Sequence, residues 1–111
     1  MRAPEGDGYL EFNFSPSSEW AAYRFDSYRS GMRAAGVPPP RLLFERVEST
    51  LALSALLELG GSVSSEGAWR VALSAVIEDT SGTLSYWALA HPAARPDFHH
   101  PEGFVLELPP P

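Results

Sequence analysis

The chain contains no cysteine, which excludes a disulfide framework and any thiolate metal site. It contains no lysine either: its eight basic residues are all arginine. A GC-rich genome explains that bias as well as a need for planar, forked donors does. No apolar run approaches the roughly 18 residues that a membrane-spanning helix requires, so no bilayer-spanning helix is expected. The opening stretch Met1 to Gly8 has no apolar core and does not read as a signal peptide. These absences make a cytoplasmic location the default expectation. Cations are also outnumbered by 14 acidic residues, giving a net charge of −6 and an isoelectric point near 4.9. Nucleic acid is therefore not an expected partner, because phosphate contacts need clustered cations.

What is present reads as one globular β domain spanning 1–111, with strands between 9 and 108 and tails at 1–8 and 109–111. Apolar residues make up 44% of the chain, too many for a disordered segment. A chain of 111 residues buries roughly two-thirds of its unfolded surface when it folds as one domain. Eleven prolines and nine glycines punctuate the sequence as turns do in β proteins.

Seven strands are predicted. Tyr9 to Phe14 alternates Leu10, Phe12 and Phe14 with Tyr9, Glu11 and Asn13, and a turn at Ser15-Pro16-Ser17-Ser18 leads into Glu19 to Asp26. Ser27 to Arg33 reads as an irregular helical turn, and Gly36 to Pro40 as an extended connector. Arg41 to Val47 and Thr50 to Leu57 form strands around a tight turn at Glu48-Ser49, with a short helix as the competing assignment for the second. Gly60 to Gly67 is a polar loop. Trp69 to Glu78 and Leu84 to His91 make a hairpin through Asp79-Thr80-Ser81-Gly82-Thr83. Phe104 to Leu108 is the last strand, ended by the prolines from Pro109.

Pairing across these turns sorts the side chains. Around Gly82, Ile77 is expected opposite Leu84, Ala75 opposite Tyr86, and Leu73 opposite Ala88, giving an apolar face. The reverse face then carries Ser74 opposite Trp87 and Arg70 opposite His91. Around Pro16, Phe12 is expected opposite Ala21 and Leu10 opposite Tyr23, with Asn13 opposite Trp20, Glu11 opposite Ala22 and Tyr9 opposite Arg24 behind them. Each hairpin thus presents an indole on its polar side. Trp20 and Trp87 as stacking platforms, with Glu11, Asn13, Arg24, Arg70 and His91 as polar contacts, form a plausible grip on a sugar or other small molecule. The competing reading packs both indoles beneath a loop or a second sheet. A one-residue slip would exchange the faces.

Tyr9-Leu10-Glu11-Phe12-Asn13-Phe14-Ser15-Pro16, Glu19-Trp20-Ala21-Ala22-Tyr23-Arg24-Phe25, Leu84-Ser85-Tyr86-Trp87-Ala88-Leu89-Ala90-His91-Pro92 and Pro96-Asp97-Phe98-His99-His100-Pro101 together resemble the bacterial DOMON-like domain proteins, near the family 9 carbohydrate-binding modules. The resemblance implies an antiparallel β-sandwich, with sugars and haem as recurrent ligands. It also implies strands ahead of the segment at Tyr9, so an incomplete sheet with an exposed edge and self-association through it are expected.

Other chemistry has weaker support. His91, Asp97, His99 and His100 share a loop and carry metal-ligating groups, although adjacent histidines on an extended chain point apart. The alternative is that they fix the loop's approach to the last strand. Met32 is the one candidate for an axial haem ligand paired with a histidine. Glu11 and Glu78 are candidate paired carboxylates, but strand carboxylates are more often solvated or paired with arginine. No nucleophile elbow or glycine-rich dinucleotide fingerprint is present. The expectation is a non-catalytic binding module without a cofactor, or a structural domain that pairs with another chain.

Overall fold

The computed structural model of this protein describes residues 1–62 and 66–110. Every ladder in it is antiparallel and no α-helix occurs among the described residues, so the chain is all-β. Nine strands follow in order: β1 (Tyr9–Phe14), β2 (Trp20–Phe25), β3 (Arg33–Ala34), β4 (Arg41–Val47), β5 (Thr50–Leu56), β6 (Trp69–Val71), β7 (Ser74–Glu78), β8 (Leu84–Ala88) and β9 (Leu106–Leu108). They form four ladder groups, β1-β2-β3, β4-β5, β6-β9 and β7-β8. Short 3-10 turns cover Gly60–Ser62 and Pro101–Gly103. The predicted loop Gly60 to Gly67 falls partly on 63–65, which lie outside the described residues.

The leading segment is more than a tail. Arg2 bridges both Tyr9 and Arg70, exchanging backbone hydrogen bonds of 2.7 and 2.9 Å with Arg70. Met1 exchanges bonds of 2.6 and 2.7 Å with Leu10. Two residues thereby act as a minimal strand that joins β9-β6 to β1-β2-β3 in one larger sheet. Burial lowers the Met1 amine to a pKa of about 6, opposed in part by the Glu11 charge.

Both hairpin registers differ by one residue from the sequence expectation. Phe12 pairs with Ala22, Leu10 with Arg24 and Phe14 with Trp20; Ala75 pairs with Trp87 and Ile77 with Ser85. Trp20 consequently shares a face with Phe12 and Phe14, and Trp87 with Ala75 and Ile77. The cause is the same in both turns. The closing pairs are Ser15 with Glu19 and Asp79 with Thr83, which leaves three-residue loops whose last residues, Ser18 and Gly82, adopt φ of 71° and 84°. A type I turn followed by a left-handed residue is the standard three-residue hairpin connection.

The strand expected over Trp69 to Glu78 breaks at Ala72-Leu73, where the chain leaves β9 and takes up β8 as its partner. Ser27 to Arg33 is a bridged turn followed by β3, and β5 is strand throughout, not helix. The core is small. Tyr9 stacks on Phe25 with ring centroids 4.7 Å apart, and Phe104 meets Tyr9 edge-on at 5.7 Å. Tyr23 and Ala72 pack against this trio, while Leu10, Ala22, Trp69 and Val71 are also buried. Tyr9, expected on a polar face, is therefore central to the interior.

Much apolar surface lies outside that core. Every residue of β5 is exposed, and in β4 only Leu42 is half-buried. The accessible surface is 7916 Å², against roughly 6,000 Å² for a compact monomer of this mass. The radius of gyration is 14.9 Å, against about 13 Å for a compact domain of this length.

Candidate functional site

A groove lies beside Met1, between β1 and the segment that follows β6. Met1 and Arg2 sit between β1 and β6, and the groove beside Met1 has a volume of about 370 Å³. Leu10 to Phe14 line one wall and Val71 to Ser74 the other, with Phe98, His99 and Phe104 completing it. Leu10 spends its backbone groups on Met1, away from β2. Backbone directions alternate along an antiparallel strand, so the N–H and C=O of Phe12 and Phe14 also point into the groove. Arg70 faces Arg2 from the β6 side.

A polar network borders this groove. His99 Nδ1 lies 2.8 Å from the Tyr9 hydroxyl and its Nε2 lies 3.3 Å from Glu11 Oε2. The Tyr9 oxygen accepts the Arg29 backbone N–H at 3.2 Å. With the imidazole neutral and Nε2–H donating to Glu11, Nδ1 is left to accept from the Tyr9 O–H. Burial raises the Tyr9 pKa, with the Arg29 N–H opposing it. Asp97 accepts hydrogen bonds from the Tyr28 hydroxyl, from Arg29 at 3.0 Å and from the His99 N–H at 3.1 Å. Burial pushes the Asp97 carboxyl up, but these three donors outweigh it and hold its pKa at about 2. A second cavity of about 280 Å³, lined by Arg2, Tyr9, Tyr28 and His99 among others, adjoins the network.

The sequence-derived site residues are not gathered in one place. Glu11 and Asn13 line the groove, joined by a 2.7 Å hydrogen bond. Arg24 lines a separate cavity of about 230 Å³ with Asp26, Arg33 and Trp69. Arg70 pairs with Glu107 at 3.7 Å on the surface. Trp20, Trp87 and His91 line none of these three cavities. Both indoles nevertheless reach solvent: Trp20 is 38% and Trp87 63% exposed. Trp87 Nε1 donates to Ser85 Oγ at 3.0 Å.

The residues weighed as metal ligands have other partners. Among the described residues no three His, Asp or Glu side chains converge on one ion. Asp97 and His99 are committed to Tyr28, Arg29, Tyr9 and Glu11. His100 Nδ1 accepts the Glu102 N–H at 3.2 Å, capping the turn Pro101–Gly103. His91 leans on Phe98, with ring centroids 6.4 Å apart. His99 thus bonds across to β1 and His100 bonds within its own loop.

The Tyr9–His99–Asp97–Arg29 cluster is the feature that local pattern did not reveal. Its members lie up to 90 positions apart, and only the unusual density of His and Asp in the loop hinted at it. No helix among the described residues is long and apolar enough to cross a membrane. No protein-family model, no curated protein and no solved structure matches this chain.

Proposed function

We propose that this chain is a non-catalytic β interaction domain of sandwich type, which acts by burying bare sheet surface against another polypeptide. One observation carries this reading: the surface exceeds that of a compact monomer by about 1,900 Å², more than the roughly 800 Å² each partner contributes to a standard interface. Exposed apolar side chains crowd the hairpins β4-β5 and β7-β8, among them Leu43, Leu51, Val76, Ile77 and Trp87. On β4-β5, Leu42, Phe44, Leu51 and Leu53 share one face, and all but Leu42 are exposed. A lone two-stranded hairpin is marginal in water, so a covering partner would stabilise it.

Self-association is the simplest form of it. Light scattering across a dilution series should give masses above the 12.1 kDa monomer that fall on dilution. The double substitution Phe44→Asp and Leu53→Asp should yield a monomer with its core intact. A wild-type protein that stays monomeric at every concentration, with β4-β5 resistant to protease, would overturn the proposal.

A second reading, carbohydrate binding, draws on the exposure of Trp20 and Trp87. A solvent-facing indole flanked by Ser85 and Ala75 offers a flat surface for the C–H face of a sugar. Trp87→Ala should then abolish quenching of tryptophan fluorescence by a bound oligosaccharide and leave the melting temperature unchanged. Equal quenching in the variant would remove this role.

A further inference from the structure

We infer that the cavity of about 280 Å³ beside Tyr28 binds a small organic molecule through a primary ammonium group. Its lining comes from the leading segment, β1, the turn after β2 and the loop before β9, whereas the interaction reading rests on β4-β5 and β7-β8. Two phenols decide what it accepts. Tyr9 and Tyr28 both line it, and both hydroxyl protons are already committed, one to His99 Nδ1 and the other to Asp97. A phenol oxygen has two lone pairs. Tyr9 uses one on the Arg29 N–H, and Tyr28 uses at most one on the neighbouring Arg29 guanidinium. Each oxygen therefore keeps a lone pair and has no proton to give, so it serves a guest that donates. Asp7 adds a carboxylate to the lining and Ser27 a hydroxyl. The Arg2 guanidinium, also at the wall, is occupied by Asp7 at 3.0 Å and by the Gly6 carbonyl at 3.3 Å.

Charge and ring chemistry agree with that assignment. Around the network the carboxylates of Asp7, Glu11 and Asp97 outnumber the guanidiniums of Arg2 and Arg29, in a chain of net charge −6. Tyr9, Tyr28 and Phe104 give the cavity aromatic walls, with Tyr9 and Phe104 inclined at 61°. The face of such a ring attracts a cation within about 6 Å, and the Tyr28 ring already draws the Arg29 guanidinium to 5.7 Å. A bare metal ion needs several convergent ligands, which the His, Asp and Glu side chains among the described residues do not supply. An ammonium needs only acceptors around one nitrogen and an apolar wall for the carbon it carries. The volume equals about nine waters at about 30 Å³ each, enough for a short arylalkyl chain behind the ammonium. Arg29 sits in the left-handed region at φ 52°, a costly conformation for a residue with a Cβ. In that conformation its N–H meets the Tyr9 oxygen and its guanidinium meets Asp97. One strained residue thus holds both phenol networks in place.

The test is a calorimetric titration of the whole chain at pH 7 with phenethylammonium and two isosteres. Phenethyl alcohol lacks the charge, and the trimethylated ammonium keeps the charge but lacks N–H donors. Saturable one-to-one binding of phenethylammonium is expected, with the alcohol weaker by about tenfold or more and the trimethylated ion also weaker. Tyr28→Phe keeps the ring and removes one acceptor, and should weaken phenethylammonium about fivefold. Tyr28 is 47% exposed, so the variant should fold. Amide shifts in the wild-type protein supply a check that needs no substitution: on titration they should centre on Ser27, Tyr28 and Phe104. Absence of saturable binding, equal binding of either isostere, or wild-type affinity in Tyr28→Phe overturns the site. So do amide shifts confined to other strands.

Discussion

At the scale of single residues, the side chains that hold this molecule together are polar aromatics and their ionic neighbours. Tyr9 is buried because Phe25 and Phe104 cover its ring, and its hydroxyl is satisfied by His99 and the Arg29 N–H. Asp97 ties the 97–100 loop to Tyr28 and Arg29 in the same way. Its pKa near 2 lies below the ordinary 3.8, so the native state favours the ionised form. Such a group contributes stability that is complete above pH 3.8 and is lost as the pH falls towards 2. We expect Asp97→Asn to cost on the order of 1 kcal/mol at neutral pH, allowing for the exposed guanidinium of Arg29. The difference between wild type and variant should shrink in urea melts near pH 3. An equal gap at both pH values would refute the assignment. Little of this was legible in the sequence. Tyr9 sits beside Glu11 and Asn13 and reads as one of a polar row, and the partners that bury it are remote along the chain.

At the scale of elements, strand positions were largely legible and pairing was not. β1, β2, β4 and β5 lie within a residue or so of the expected segments, because period-2 alternation and β-branched or aromatic content mark them. Register depends instead on how many residues a turn consumes, and Ser18 hides that count. Gly82 takes the left-handed position in one turn, while a serine occupies the equivalent position in the other. An L-residue with a Cβ is strained there, whereas glycine is not. Ser18→Gly should therefore stabilise the protein by about 0.5–1 kcal/mol, or roughly 2–5 °C in melting temperature. A lower melting temperature for the variant would show that the Ser18 side chain matters more than its backbone. The break at Ala72-Leu73 was equally hidden, since Val71, Leu73, Ala75 and Ile77 alternate straight through the exchange of partners.

At the scale of the whole molecule, composition announced an all-β chain but gave no measure of how completely it closes. An apolar content of 44% is ordinary, yet among the described residues only seven apolar ones are buried. Many others, such as Leu43, Phe44, Leu51, Val76 and Ile77, are exposed on the hairpins. Nothing local distinguishes a leucine that faces the core from one that faces outward on a hairpin, because the same alternation writes both. Folding and assembly are consequently read from one pattern, and only the long-range arrangement of hairpins separates them.

The two-residue link at Met1–Arg2 gives the large sheet a seam. Its two halves are held across that line by four backbone bonds, two to Leu10 and two to Arg70, while β1 and β2 are zipped along six residue pairs. Under tension, or on gentle heating, the sheet should part there first, releasing β6-β9 as a flap while β1-β2-β3 stays whole.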